Sequence, residues 1–252
     1  MGELKDKASR YSREFDSDSP LADEGNRAQK AAKIRAVLDE EGAFDTTGIR
    51  ILDIGCAYGL ILKMLTPEDG LGVGVDLDQD FGGRIENVRF VRADAENLPF
   101  EPGSFDVVLC NHVYEHTDDS SRLMAEIYRV MSEGGICYFA GPNKFEPIEP
   151  HYRLPFLSWL PRPTADLYMR LTGKGKTYPE KPLSRPQLRR LLADFRVIDY
   201  THRIVADPAR FEATDILPPG SAKRIIATVM LRAAPFFFPG FVYILRKPAG
   251  EI

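Results

Sequence analysis

Apolar positions along the chain follow two alternating periods. Short, mostly apolar runs stand at 49–54, 71–75, 88–91, 105–110 and 136–140. Their length and Val/Ile/Leu content predict strands buried on both faces. Between them, apolar residues recur every three or four positions. Ala28, Ala31, Ile34, Val37 and Leu38 mark a helix over 24–41 that Gly42 ends. Leu60, Ile61, Leu62, Met64 and Leu65 begin a second helix directly after the first strand. Leu123, Ile127, Val130 and Met131 mark a third over 118–131, with Gly134 and Gly135 as its stop. Strand and helix in strict alternation predict a parallel sheet covered on both faces. Only about a dozen residues join Asp76 to the strand at 88, so any helix there is short.

Past residue 140 the rhythm breaks. Residues 141–183 are rich in proline, aromatics, arginine and lysine, and they predict an insertion over the strand ends. The sheet resumes with a helix over 185–194, capped by Ser184 with Pro186 in its first turn. A strand over 196–204, an irregular stretch over 206–239 and a last strand over 240–245 follow. Residues 1–23 are polar and patternless, the composition of a mobile segment or flexible lid. The expected organisation is that mobile segment and one domain over 24–252, with an insertion at about 145–183.

The stretch ILDIGCAYG, residues 51–59, is where chemistry enters. Gly55 and Gly59 permit a sharp turn and a close approach of backbone to a ligand. The free N–H groups of the following helix favour a carboxylate or phosphate, and Asp53 at the strand end suits a positive group. Ligands of such sheets bind beyond the carboxyl ends of the strands. That rim carries the glycine turn, then Asp76, then Asp94-Ala95, then 111–116. Asp76 is placed to take both hydroxyls of a ribose. Asp94 suits an adenine amino group, with Leu98 and Phe100 as an apolar wall. A dinucleotide fingerprint needs further glycines where this chain has Ala57 and Leu60, and no phosphate-loop Gly-Lys-Ser/Thr follows the turn.

ILDIGCAYG, GVGVDLD, FVRADAENLPFEPGSFDVVLCNHVYEH and IYRVMSEGG, in this order and spacing, resemble the class I S-adenosylmethionine-dependent methyltransferases. The nearest subgroup is the type 11-like enzymes of small molecules and lipids. The resemblance spans about 49–142 and extends more weakly over 184–248. It implies an α/β, Rossmann-like doubly wound sheet of seven strands, mostly parallel with the last antiparallel. It implies S-adenosyl-L-methionine as cofactor. Asp53, Gly55, Cys56, Ala57 and Gly59 would line its methionine end, and Asp76 and Leu77 would meet the ribose and adenine. Asp94 and Ala95 would meet the adenine edge, and Asn111 would lie beneath the sulfonium. Ala57 stands where the family usually has glycine, which tightens the turn.

Methyl transfer to an oxygen also needs a base within hydrogen-bond reach. The candidates are His116, which matches the family's Glu-His after strand four, then His151, His112 and Tyr152. Cys56, Cys110 and Cys137 have neither disulfide nor zinc spacing. They point to a reducing, cytoplasmic setting, and no metal is expected. The N-terminal residues hold no apolar h-region, so no signal peptide is expected, and Arg232, Pro235, Pro239 and Gly240 interrupt the longest apolar stretch, 225–245.

The net charge of −4 divides unevenly: −11 over 1–144 and +7 over 145–252. Between Pro150 and Arg190 stand nine basic residues and two acidic ones, interleaved with Leu154, Phe156, Leu157, Trp159 and Leu160. That composition suits an interfacial segment. It predicts an amphipathic, lipid-linked or glycan acceptor and peripheral contact with the inner membrane face. The alternatives are an RNA methyltransferase using the same basic strip and a non-catalytic cofactor-binding protein. Neither an Asn-Pro-Pro-Tyr motif nor an appended RNA-binding domain is present, and nothing points to DNA.

Overall fold

The computed structural model describes residues 23–77 and 85–248. The segment expected to be mobile lies, but for Asp23, outside the described residues, as does most of the short connection after Asp76. Seven strands form one sheet: β1 (Arg50–Ile54), β2 (Leu71–Asp76), β3 (Val88–Arg92), β4 (Phe105–Asn111), β5 (Met131–Pro142), β6 (Arg196–Asp199) and β7 (Gly240–Arg246). Their order is β3-β2-β1-β4-β5-β7-β6, and β7 runs antiparallel to both neighbours while the β1–β5 pairings are parallel. The expected sheet is therefore present, and its order reverses beside β1.

Helices α1 (Glu24–Glu40), α2 (Leu60–Leu65) and α3 (Ser120–Val130) alternate with the early strands. One layer packs Ile34, Val37, Leu38, Leu62 and Leu65 on Ile51, Val107 and Leu109. The other packs Leu123, Ile127 and Val130 on Leu52, Val108 and Phe139. Successive strand residues thus face opposite cores, which explains why β1 and β4 read as unbroken apolar runs. At the end of α1, Glu41 accepts from Tyr200 Oη at 2.5 Å and Arg246 Nη2 at 2.9 Å. This ties α1 to the far edge of the sheet and fixes the helix that roofs the β1 turn.

Three local expectations change. Gly134 and Gly135 do not stop α3, which ends at Val130; both lie in the first part of β5, where the β4–β5 register shifts between Phe105 and Val107. The strand expected over 196–204 ends at Asp199, whose carboxylate accepts from Thr201 N–H at 2.8 Å and starts the short helix α6 (Thr201–Ala206). The irregular stretch contains α7 (Ala222–Ala233), whose N-cap Ser221 accepts from Arg224 N–H. Its apolar face is interrupted by prolines on both sides, which hid it from the pattern.

Within the insertion, α4 (Arg162–Leu171) packs with Leu154, Leu157, Met169 and Tyr178 into a small core of its own. The helix α5 (Arg185–Leu191) opens on a capping box of Ser184 and Gln187. Tyr114, after β4, is wholly buried; its hydroxyl donates to Pro142 O at 2.5 Å and accepts from Leu183 N–H at 3.1 Å. That single side chain clamps both ends of the insertion to the strand-four loop.

Candidate functional site

The carboxyl ends of β1, β2 and β4, closed over by α1, enclose one cavity of about 460 Å³. That volume lies within the range of pockets for drug-sized ligands. The sequence-predicted Asp53, Gly55, Cys56, Ala57, Asp76, Leu77, Asp94, Ala95 and Asn111 all line it, and so do His112, His116 and His151. Gly59 is not among the lining residues; it caps α2 with φ +69°. Leu98 and Phe100 are not lining residues either. Leu98 is buried in the core, and Phe100 packs edge-to-face on Phe105 with ring centres 5.0 Å apart. Neither is the apolar wall expected of it.

Backbone geometry builds the cradle. Gly55 has φ +70° and Ala57 φ +49°, so a non-glycine residue holds a left-handed conformation in the turn. Asp76 Oδ2 accepts from Ala57 N–H at 2.9 Å and pins that strained residue. A side chain on Gly55 would meet Val113 Cγ2 at 2.7 Å, and one on Gly59 the Phe90 ring at 2.4 Å. The glycines therefore serve close packing of the walls as well as ligand approach. His112, after β4, is also left-handed, at φ +58°. Glu96 N–H donates to Asp94 Oδ1 at 3.0 Å, fixing the turn after β3.

Electrostatics differ between the two ends. Asp53 is buried, and burial together with Asp76 pushes its carboxyl up to about 7, partly opposed by Arg27. Arg27 and Lys30 reach the cavity from α1. Burial lowers the pKa of both. Sequence pattern alone missed this pair, because both stand on a helix, more than twenty residues upstream of the nearest motif. Burial pushes the Cys56 thiol far up, which removes it as a nucleophile.

At the other end, His116 and His151 pack edge-to-face with ring centres 5.0 Å apart. His151 Nδ1 stands 2.8 Å from Glu149 Oε1. Burial would lower the His151 pKa, but Glu149, Glu180 and Glu115 lift it to about 9. Glu115 is fully buried beneath the histidines; burial would raise its pKa, yet His112 and His116 hold it below the usual range. Glu146, Glu149 and Glu180 are buried nearby, Glu146 raised to about 9 and Glu180 to about 7, both chiefly by burial. None of these four glutamates stood out in the sequence. The signal available was a surplus of acid around His151 within an otherwise basic stretch.

Residues 52–139 match the family model described as a methyltransferase domain. The chain is 33% identical over 144 residues to a phthiotriol/phenolphthiotriol dimycocerosates methyltransferase of Mycobacterium leprae, covering 50% of each chain. It is 30% identical over 106 residues to a ubiquinone biosynthesis O-methyltransferase of Methylococcus capsulatus, covering 38% of this chain and 45% of that one. The chain thus spans about half the length of the curated relatives it matches. In fold it is similar to the plantazolicin methyltransferase BpumL, solved with a monoazolic desmethylPZN analogue and SAH, at TM-score 0.57 and 19% identity over 97% of this chain and 90% of that one. The cofactor of this domain is S-adenosylmethionine. The cradle at Gly55 and Ala57, the two rim carboxylates and a cavity of this volume fit it.

Proposed function

From the premise that this chain carries a class I S-adenosylmethionine-dependent methyltransferase domain, we propose that it transfers the cofactor's methyl group to a small, amphipathic or lipid-like acceptor. One observation carries the reading: a single cavity runs from Asp76 and Asp94 to His116 and His151. Donor and acceptor residues therefore share one enclosed space.

The cofactor supplies a methyl group on a sulfonium. The chain's residues bind and orient it. Asp76 and Leu77 hold the ribose and the adjoining adenine face, and Asp94 and Ala95 hold the adenine edge. Gly55, Cys56, Ala57 and Gly59 shape the turn around the methionine end, and Asn111 lies under the sulfonium. Arg27 and Lys30 neutralise the methionine carboxylate, and Asp53 pairs with its ammonium. His116, His151 and His112 meet the acceptor's reacting oxygen and its proton. The residues 141–183 close the space and exclude water.

The names of the relatives support a small-molecule or lipid-like acceptor. The surface supports an approach from a lipid face. Ile148, Phe156, Leu167 and Leu171 are exposed on the insertion, and Ile225, Ile226 and Val229 on α7, among the basic residues of this half. Among the described residues no helix is long and apolar enough to cross a membrane. Contact would be peripheral, from a cytoplasmic protein.

Calorimetry with S-adenosylmethionine and its demethylated product tests the donor end, with micromolar affinity expected for both. Absence of binding would sink the methyltransferase reading. Flotation with anionic vesicles at low salt tests the lipid face, and failure to float would remove the membrane while leaving the transfer.

A further inference from the structure

We propose that Glu115, His116 and His151 form a site for one divalent transition-metal ion at the acceptor end of the cavity. The ion's binding stands on the geometry alone; its role rests on the methyltransferase reading above.

Three donors converge from separate parts of the chain. Glu115 and His116 follow β4, and His151 belongs to the insertion. One ligand atom from each lies within 4.8 Å of the others. Tetrahedral ligands of a zinc ion bound at ~2.1 Å stand ~3.4 Å apart, so the donors close by at most about 1.4 Å to complete the set.

Glu115 supplies an independent observation. It has no exposed surface, and neither carboxylate oxygen has a hydrogen-bond partner. Its nearest basic neighbours are the imidazoles of His112, with Nδ1 at 3.4 Å, and His116, with Nε2 at 4.0 Å from Oε1. Buried charges are paired or coordinate metals, because an isolated one is costly. Glu146 Oε1 and Glu180 Oε2 are also buried without hydrogen-bond partners, and the surrounding carboxylates outnumber the imidazoles.

The surroundings have the form of a metal's supporting shell. Glu149 Oε1 engages His151 Nδ1 at 2.8 Å, which fixes the ring and leaves Nε2 as the ligating atom. Tyr152 N–H donates to Glu149 Oε2 at 2.7 Å and holds that carboxylate in turn. Two imidazoles and one carboxylate suit zinc or a neighbouring first-row ion, whereas magnesium and calcium take oxygen ligands.

An ion held by Glu115, His116 and His151 would supply a Lewis acid to an acceptor hydroxyl there. The oxygen loses its proton to His112, whose side chain is half-exposed. The oxygen–methyl bond forms as the methyl–sulfur bond breaks, and the electron pair of that bond stays on sulfur. The products are a methyl ether or ester, the demethylated cofactor and His112-bound H⁺, which passes to water.

The test uses the full chain stripped with chelator. Elemental analysis after Zn²⁺ loading should find one ion per chain, and Co²⁺ should give visible d–d absorption. Glu115→Gln and His151→Ala should each weaken Zn²⁺ affinity at least tenfold. The two variants lie on separate segments, and retained S-adenosylmethionine binding shows that each is folded. No stoichiometric Zn²⁺ on a chain that binds the cofactor, or unchanged Zn²⁺ affinity in both folded variants, would overturn the site. Zn²⁺ binding without any cofactor binding would instead uphold the site and discard its role in methyl transfer.

Discussion

The two ends of the cavity are built by different means. The donor end is made of backbone turns and of carboxylates that each stand at the end of a strand. Asp53 and Asp76 stand in the last positions of β1 and β2, and Asp94 two residues beyond β3. Its residues are fixed by the seven-stranded sheet. The acceptor end is made of side chains drawn from the strand-four loop and an insertion with its own small core. Buried glutamates and histidines hold it together. A sheet edge can present one cofactor to many chemistries, while the specificity of each resides in a separately packed unit. The following predictions break or sharpen that division.

The largest effect is expected at the donor end. Asp76→Ala removes the carboxylate proposed to hold the ribose and the acceptor that pins Ala57. Hydrogen bonds to a charged group contribute about 1.5–3 kcal/mol each, so two lost contacts lower cofactor affinity more than ~100-fold. Calorimetry checks this, and a loss under tenfold would place the ribose elsewhere. Gly55→Val is a poorer probe, because its side chain strikes Val113 at a positive φ and disturbs the fold as well.

Next comes the acceptor end. Leu157 is fully buried in the insertion's core, and Leu157→Ala there costs about 2–4 kcal/mol. Amide exchange should rise over 152–178 while cofactor affinity moves less than about twofold, because distant sites without shared partners behave additively. A parallel fall in cofactor affinity would show that the two ends fold as one unit.

This difference in construction also decides what the sequence could reveal. Each donor residue sits in a local pattern: apolar run, glycine turn, carboxylate at a fixed step. β1 to β4 and their rim were therefore legible within a residue or two. Arg27 and Lys30 were not, because nothing within α1 marks which of its basic residues points at a turn 25 residues ahead. The acceptor cluster was half-visible. His116 and His151 stood out as candidates, but their juxtaposition depends on Tyr114 clamping both ends of the insertion. Nothing in the sequence singled out Glu115, Glu146, Glu149 and Glu180, and only the tertiary packing buries them. Gly134 and Gly135 misled for the converse reason: a register shift in β5 uses residues that ordinarily end a helix.

A smaller effect follows from Asp53. Its carboxyl is raised to about 7 by burial and by Asp76. The folded value exceeds the unfolded one of about 4, so the free protein binds the extra proton and loses stability as pH rises from about 4 through 7. The cofactor ammonium proposed to pair with Asp53 would select the ionised carboxylate. Cofactor affinity should therefore rise severalfold between pH 6 and pH 7.5 and flatten in Asp53→Asn. An affinity flat across that window in the wild type would detach Asp53 from the ligand.

The smallest effect separates the brace of the insertion from its exposed face. Trp159 is half-buried; its Nε1 donates to Glu146 O at 2.7 Å, and its ring stacks on Phe237 with centres 5.4 Å apart. These contacts join the insertion to the segment after α7, which is a structural task. Phe156, beside it, is half-exposed and stands at φ +57° with its ring against Trp159. Trp159→Phe keeps a ring in the stack and removes one hydrogen bond, at a cost of about 1 kcal/mol. Amide exchange over 157–169 should report that loss while vesicle flotation changes less than twofold. Phe156→Ser should do the reverse, weakening flotation with little change in exchange, because its exposed ring has apolar area to give to a lipid surface and little to the fold. Equal loss of flotation in both variants would mean that the aromatic cluster acts on membranes as a whole, and the line between brace and contact face would move outward to α7.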